Sequence, residues 1–101
     1  MSIEGLLKEA AARGVTRLPQ PSHLSHVRVW PAHGGQWVAE VGEPPHNITV
    51  GDGLYPSQDD ARTTALAHIS LERAKLMTLL PEELARQAAS LPDPVVAQWD
   101  S

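Results

Sequence analysis

The feature that most constrains this chain is a long helical segment between Ser57 and Pro81. Ser57 and Asp60 have the S-x-x-D spacing of a capping box, which starts a helix. Proline lacks a backbone N–H and ends a helix, so we expect the segment to run to about Leu80. A helix of this length must find partners for its apolar side chains elsewhere in the chain.

The apolar side chains of this helix form two strips. The larger strip is predicted to pack on a β-sheet and comprises Ala61, Ala65, Leu66, Ile69, Leu76, Met77, Leu79 and Leu80. The smaller strip is Ala67, Leu71 and Ala74, and it needs another partner. The simplest candidate is a last helix from Glu82 to about Ser90, with Pro81 at its first position. A second copy of the chain is the alternative.

The N-terminal half of the chain predicts one helix and three strands. Ser2 caps a helix with an apolar stripe, and Gly14 is its expected stop. Side chains alternate between two faces over residues 26–30 and 36–41, which predicts two strands joined by a five-residue hairpin loop. Residues 47–50 predict a third strand. The order is α-β-β-β-α-α. We therefore expect an α+β domain over residues 1–91, with a three-stranded antiparallel sheet packed on helices.

Residues 92–101 carry two prolines and no helical period, which indicates a flexible C-terminal tail. Trp99 has no obvious core partner there. An indole in such a tail is typical of an anchor that docks on its own domain, on a neighbour or on a partner protein.

The bulk composition excludes several functions. The 101 residues contain no cysteine, which excludes disulfides, thiolate catalysis and cysteine-containing zinc modules. The absence of cysteine fits a cytoplasmic protein, which we therefore expect. No apolar run is long enough for a membrane span, so we expect no membrane partner. The net charge is −4, and this disfavours tight binding to nucleic acid through many phosphate contacts.

The spacing of the serine and histidine residues favours neither a catalytic site nor a metal site. Ser25 and His26 are adjacent, but no G-x-S-x-G nucleophile turn accompanies them. His23 and His26 are expected on opposite faces at the start of a strand, where they could not share a metal ion. We therefore predict no catalytic residues, no metal site and no cofactor.

Several short motifs resemble the double-stranded RNA-binding domain family. Pro31-Ala32-His33, followed by the strand from Trp37, is similar to its P-x-H loop and second strand. Gly51, Gly53, Ser57 and the spaced Ala61 and Ala65 are similar to the start of its final helix. The resemblance implies a dsRBD-like fold. Gln58 and Asp59 stand where that family has two phosphate-binding lysines, which implies binding to proteins or dimerisation instead of binding to duplex RNA.

The βββα portion also resembles HicB-like antitoxins and related small bacterial domains. Residues 34–41, GGQWVAEV, are similar to their strand of the type G-G-x-aromatic-V-A-E. The resemblance implies an antitoxin-like or phage-inhibitor-like neutralising protein. The segment Glu82–Ser90 is too short for the helix-turn-helix that many of these antitoxins carry.

These observations favour a non-enzymatic regulatory module that binds a protein partner and can form a homodimer. Its candidate partner-binding residues are Ala67, Leu71, Ala74, Val95, Val96 and Trp99. The alternative is a nucleic-acid-binding domain for duplex RNA or single strands. Its contact residues would be Arg13, Arg17, Arg28 and His33.

Overall fold

The computed structural model describes residues 2–51 and 53–98. Its helices are α1 (Ile3–Ala12), α2 (Gln58–Leu79) and α3 (Glu82–Ala89). Its strands are β1 (His26–Pro31), β2 (Trp37–Val41), β3 (Ile48–Thr49) and β4 (Val95–Gln98). Short 3₁₀ turns lie at Pro21–Leu24 and His33–Gly35. The α+β class predicted from the sequence is confirmed.

Both predicted N-terminal caps are present. The hydroxyl of Ser2 accepts a hydrogen bond from the N–H of Gly5, and that of Ser57 accepts one from the N–H of Asp60, each at 3.1 Å. These bonds satisfy donors that the first helical turn leaves unpaired. Pro81 is the cap of α3 and not its first helical residue, because its backbone is extended at ψ 156°.

The sheet differs from the prediction. Its strand order is β3-β2-β1-β4, with β1–β2 and β2–β3 antiparallel and β1–β4 parallel. The expectation of three antiparallel strands is therefore wrong, since the sheet has a fourth strand and is mixed. That strand comes from the segment expected to be a flexible tail. The third strand is also shorter than residues 47–50.

The sheet packs one face on the first half of α2. Val27 and Val29 of β1 and Ala39 and Val41 of β2 are buried against that half of the helix, where the buried residues are Ala61, Ala65 and Ile69. Because side chains alternate along a strand, Arg28 of β1 lies on the opposite face. We call that opposite face the outer face.

The second half of α2 belongs to a separate helical cluster. Leu76 and Leu80 are buried with α1, the Pro21–Leu24 turn and α3, so they do not pack on the sheet as predicted. Leu79, also predicted to be inward, is 47% exposed. The two clusters lie along one helix, which explains a molecule with principal extents of 46 × 23 × 17 Å.

One side chain joins α2 to the segment that leads into the sheet. The Nε of Arg73 donates a hydrogen bond of 2.9 Å to the carbonyl oxygen of Leu24. Burial lowers the pKa of the Arg73 guanidinium, and the negative charge of Asp93 partly offsets this effect. Arg73 therefore lies close to the segment that precedes β4.

Across residues 2–51 and 53–98, no helix is both long enough and apolar enough to cross a lipid bilayer.

Candidate functional site: the free edge of β4 and the outer face

The outer edge of β4 has no neighbouring strand in the described part of the chain. The N–H of Val95 donates a hydrogen bond of 2.8 Å to the carbonyl oxygen of Ser25, so the peptide groups of Val95 face β1. Backbone groups alternate along a strand, so those of Ala97 also face β1. The N–H and C=O groups of Val96 and Gln98 therefore point to the free edge, where another strand can pair with them.

The side chains of β4 carry no charge. Val95 is 61% exposed, whereas the side chain of Val96 packs against the sheet cluster. Natural edge strands usually carry a lysine, a bulge or a covering segment that blocks further pairing. The strand has neither a lysine nor any other charge among its four residues, so its edge remains competent to accept another strand. Trp99, the remaining candidate of this segment, lies outside the described residues.

A cavity of about 360 Å³ lies on the outer face beside β4. Its residues come from β1, from β4 and from the β2–β3 loop, which comprises residues 42–47. They are His26, Val27, Arg28, Glu43, Pro44, Val95 and Ala97. The volume is within the range of ligand pockets and exceeds that of one large side chain.

Three side chains hold the β2–β3 loop, which forms one side of this cavity, in place through polar contacts. The Nε2 of His23 bonds to the carbonyl oxygen of His46 and must donate, since a carbonyl only accepts. The hydroxyl of Ser22 accepts from the N–H of Glu43 at 3.2 Å. The Nε2 of His26 pairs with the carboxylate of Glu43 at 3.2 Å. The loop is thereby held to β1 and to the turn before it.

Sequence reasoning missed the relation of Ser25, His26 and Glu43. The Nε2 of His26 lies 3.2 Å from the carboxylate of Glu43, and its Nδ1 lies 2.7 Å from the Ser25 hydroxyl, which also donates to the carbonyl oxygen of Pro21 at 3.3 Å. Serine, histidine and acid follow one another as in a hydrolytic triad, but with the two ring nitrogens exchanged, since the serine is on Nδ1 and the acid on Nε2. However, His26 and Glu43 line the cavity beside β4, whereas Ser25 lines a different cavity with Ser2 and Leu91. The arrangement therefore orients the imidazole toward the loop and does not form one site around a substrate.

Glu40 lies on the outer face and is nevertheless only 8% exposed. Its Oε1 accepts a hydrogen bond of 2.7 Å from the side-chain amide of Asn47. The sheet register places Arg28 directly opposite it on β1, an arrangement of opposite charges that stabilises neighbouring strands. The guanidinium of Arg28 also lies 5.6 Å from the ring centre of Trp30. This charged row forms the middle of the outer face.

The smaller strip of α2 is exposed. Leu71 is 56% exposed, and Ala67 and Ala74 are exposed as well. The expectation that α3 covers this strip is wrong, because Ala88 of α3 is buried in the helical cluster with Leu76 and Leu80. The three residues therefore remain available as a binding surface.

The four candidate nucleic-acid contacts lie on separate parts of the fold. Arg13 caps the C-terminus of α1, and Arg17 is exposed in the connector that follows. Arg28 is on the outer face of β1. His33 is in the turn at the far end of β1 from the helical cluster. The architecture does not gather them into one basic patch, which is what tight phosphate binding needs.

Within residues 2–51 and 53–98, no group of three His, Asp or Glu side chains is close enough to hold a metal ion. Comparison with models of known protein families, with curated proteins and with solved structures gave no match.

Proposed function

We propose that this chain is a non-enzymatic interaction module that binds a protein partner through its exposed uncharged surfaces. The observation that carries the proposal is the free edge of β4, where the backbone groups of Val96 and Gln98 have no neighbouring strand among residues 2–51 and 53–98, on a strand without charge. The strip formed by Ala67, Leu71 and Ala74 on α2 is the second such surface. Neutral, exposed surfaces of this kind are typical of contacts between proteins.

The test begins with affinity capture on the immobilised full chain and continues with each recovered protein in purified form. Calorimetric titration then compares the wild type with Val96→Pro, which removes one donor from the free edge, and Leu71→Asp, which adds a charge to the α2 strip. We expect saturable binding by at least one purified protein, and a loss of tenfold or more in one variant. Absence of binding by every purified candidate would contradict the proposal.

An antitoxin-like or phage-inhibitor-like protein is a special case of this function. In that case the captured protein is an enzyme, and addition of this chain inhibits it at stoichiometric ratio. An inhibition assay on the purified partner separates this role from a purely structural one.

Binding of single-stranded nucleic acid is the second candidate, and one observation favours it. Arg28 and Trp30 lie together on the outer face, with the guanidinium 5.6 Å from the ring centre. Arginine and tryptophan on an open sheet can hold phosphate and stack bases. A tryptophan-fluorescence titration with single strands and duplexes at low and moderate salt tests it. Saturable binding that weakens with salt would support it, and absence of binding at low salt would contradict it.

A further inference from the structure

In the described part of the chain, the C-terminal strand β4 pairs with one neighbouring strand only. We propose that residues 92–98, which we call the strap, open from β1 as one unit while the rest of the fold stays closed, and that Arg73 and Asp93 form the latch that holds the strap in place. The strap then acts as a lid, because it borders two cavities. The inference goes beyond the proposed function and does not depend on it.

The strand within the strap makes few contacts that would resist opening. Its register with β1 runs only from His26 to Val29. Within Val95–Gln98, the side chain that packs against the sheet cluster is that of Val96, whereas Val95 is 61% exposed. Elements with few buried apolar contacts have low local stability, and they open before the rest of a fold does.

The segment just before β4 is suited to be the hinge of the strap. Leu91 fixes the near end, since its side chain packs against the helical cluster and its N–H donates a 3.3 Å hydrogen bond to the carbonyl oxygen of Ala88. Pro92 and Pro94 have no N–H, so neither can donate a backbone hydrogen bond that would tie this segment to the body of the fold. The hinge therefore lies between Leu91, which stays in the helical cluster, and the first residue of β4.

The rest of the sheet is held together without the strap. The strand β1 pairs with β2 from Val27, opposite Val41, to Pro31, opposite Trp37. The buried residues of the sheet cluster come from β1, β2, α2 and Val50, and the strap contributes one partly buried side chain to it. Opening of the strap therefore leaves the β1–β2 ladder and the buried core in place.

Arg73 of α2 is placed to hold the strap closed. Its Nε donates a 2.9 Å hydrogen bond to the carbonyl oxygen of Leu24, which fixes the guanidinium beside the turn before β1. Burial lowers the pKa of this guanidinium, and the negative charge of Asp93 in the strap acts against that shift. The partly buried cation is therefore stabilised by Asp93 while the strap is closed, and it loses that stabilisation when the strap opens.

The strap borders two separate cavities. Val95 and Ala97 line the cavity of about 360 Å³ on the outer face. Pro92 lines a second cavity of about 420 Å³, whose other walls include Ser2 of the α1 cap and Ser25. Because one segment borders both cavities, a single opening movement widens the access to both of them.

Amide hydrogen exchange of the full chain under native conditions tests the opening. The N–H groups of Val95 and Ala97 face β1, and those of Val27 and Val29 face β4. After correction for intrinsic rates, we expect these four amides to share one opening free energy. They should exchange at least about tenfold faster than Arg28, whose N–H faces β2. Rates equal to that of Arg28 at all four amides would overturn the inference, because the strap would then open only when the sheet unfolds.

Thiol labelling measures the same opening at side chains. The chain contains no native cysteine, so a single introduced thiol reports on its own site. Val96→Cys places the thiol against the sheet cluster, Val95→Cys places it at an exposed site, and Leu76→Cys places it in the helical cluster. We expect Val96→Cys to react more slowly than Val95→Cys and at least about tenfold faster than Leu76→Cys. Equal rates for Val96→Cys and Leu76→Cys would contradict a separate opening of the strap.

Charge variants test the latch. Asp93→Asn should speed exchange at the four strap amides by about two- to fivefold, the effect of losing a screened ion pair, and should leave Arg28 unchanged. Added salt should speed the same amides in the wild type and have little effect in Asp93→Asn. Glu83→Gln, at an exposed site on α3, is the matched control and should change neither the rates nor their salt dependence.

A second substitution shows whether Asp93 acts through Arg73. In an Arg73→Gln background, the further change Asp93→Asn should have no additional effect on exchange, because the partner of the carboxylate is already absent. An undiminished effect of Asp93→Asn in that background, or no effect of Asp93→Asn in the wild type, would overturn the latch and with it the inference.

Discussion

The backbone N–H of Val95 donates a 2.8 Å hydrogen bond to the carbonyl oxygen of Ser25, which brings residues 95–98 beside the strand that begins at His26. The bond starts the parallel pairing of β4 with β1, in which His26 lies opposite Val95 and Val29 lies opposite Gln98. Because this pairing uses the peptide groups of Val95 and Ala97, it leaves those of Val96 and Gln98 at the edge.

Proline substitutions in β4 should differ in their effect on stability. The register places the N–H of Ala97 in the ladder to β1, so Ala97→Pro should lower the free energy of unfolding by about 1–3 kcal/mol. Val96→Pro removes a donor that faces solvent, and proline is tolerated on the free side of an edge strand. This variant should therefore lower the free energy of unfolding by less than Ala97→Pro does. Urea unfolding of both variants measures the difference. Equal losses would show that Val96 also bonds within the fold.

Gly42 should be the least replaceable residue of the β2–β3 loop. Its φ is +92°, and a Cβ there would lie 2.5 Å from Cδ2 of His23 and 3.2 Å from the carbonyl oxygen of His46. Gly34 is a matched control, with φ +72° and no atom within 4 Å of the same position. Both changes to alanine carry a backbone cost of about 1 kcal/mol. Gly42→Ala should lower the free energy of unfolding by more than Gly34→Ala does. Equal losses in urea unfolding would contradict the close contact with His23.

The pair of His26 and Glu43 should show a small but measurable coupling. The side chains are 31% and 61% exposed, so solvent screens their interaction. A double-mutant cycle with His26→Ala and Glu43→Ala should give a coupling energy of about 0.2–1 kcal/mol in unfolding experiments. A value of zero would mean that Ser22 and His23 alone hold the loop.

Substitutions at an exposed and at a buried leucine of α2 should differ in their effect on stability. Leu76 is 3% exposed in the helical cluster, so Leu76→Ala should lower the free energy of unfolding by about 2–5 kcal/mol. Leu71 is 56% exposed, so Leu71→Asp should change the free energy of unfolding by about 0.5 kcal/mol or less. Thermal unfolding measures both. A large loss for Leu71→Asp that depends on protein concentration would instead show that the strip pairs with a second copy.

Local signals in the sequence predicted most of the elements. Ser2 and Ser57 cap helices through contacts three residues away, and the alternation around Val27 and Trp37 reflects the two faces of a strand. The larger strip of α2 was predicted only in part. Its residues were correctly assigned as apolar contacts up to Ile69, but Leu76 and Leu80 pack with other helices because the sheet is shorter than the helix.

The candidate site was predicted as a set of residues but not as a surface. Val95, Val96 and the α2 strip were identified from their apolar character within polar surroundings. That Val96 has its side chain against the core and its peptide groups at the edge depends on the pairing with β1, which no local pattern encodes. The contact between His26 and Glu43 was missed for the same reason, since a turn between β2 and β3 brings them together.

The sequence by itself determined the α+β class, the caps and bounds of α1 and α2, and the β1–β2 hairpin, because these depend on hydrogen bonds and side-chain periods within a few residues. Only the tertiary structure decided that the C-terminal segment is a strand, that α3 leaves Leu71 exposed, and that a cavity lies between Pro44 and Val95. A parallel strand obtains its hydrogen bonds from a distant part of the chain, so its formation depends on the edge that β1 offers and not on its own four residues.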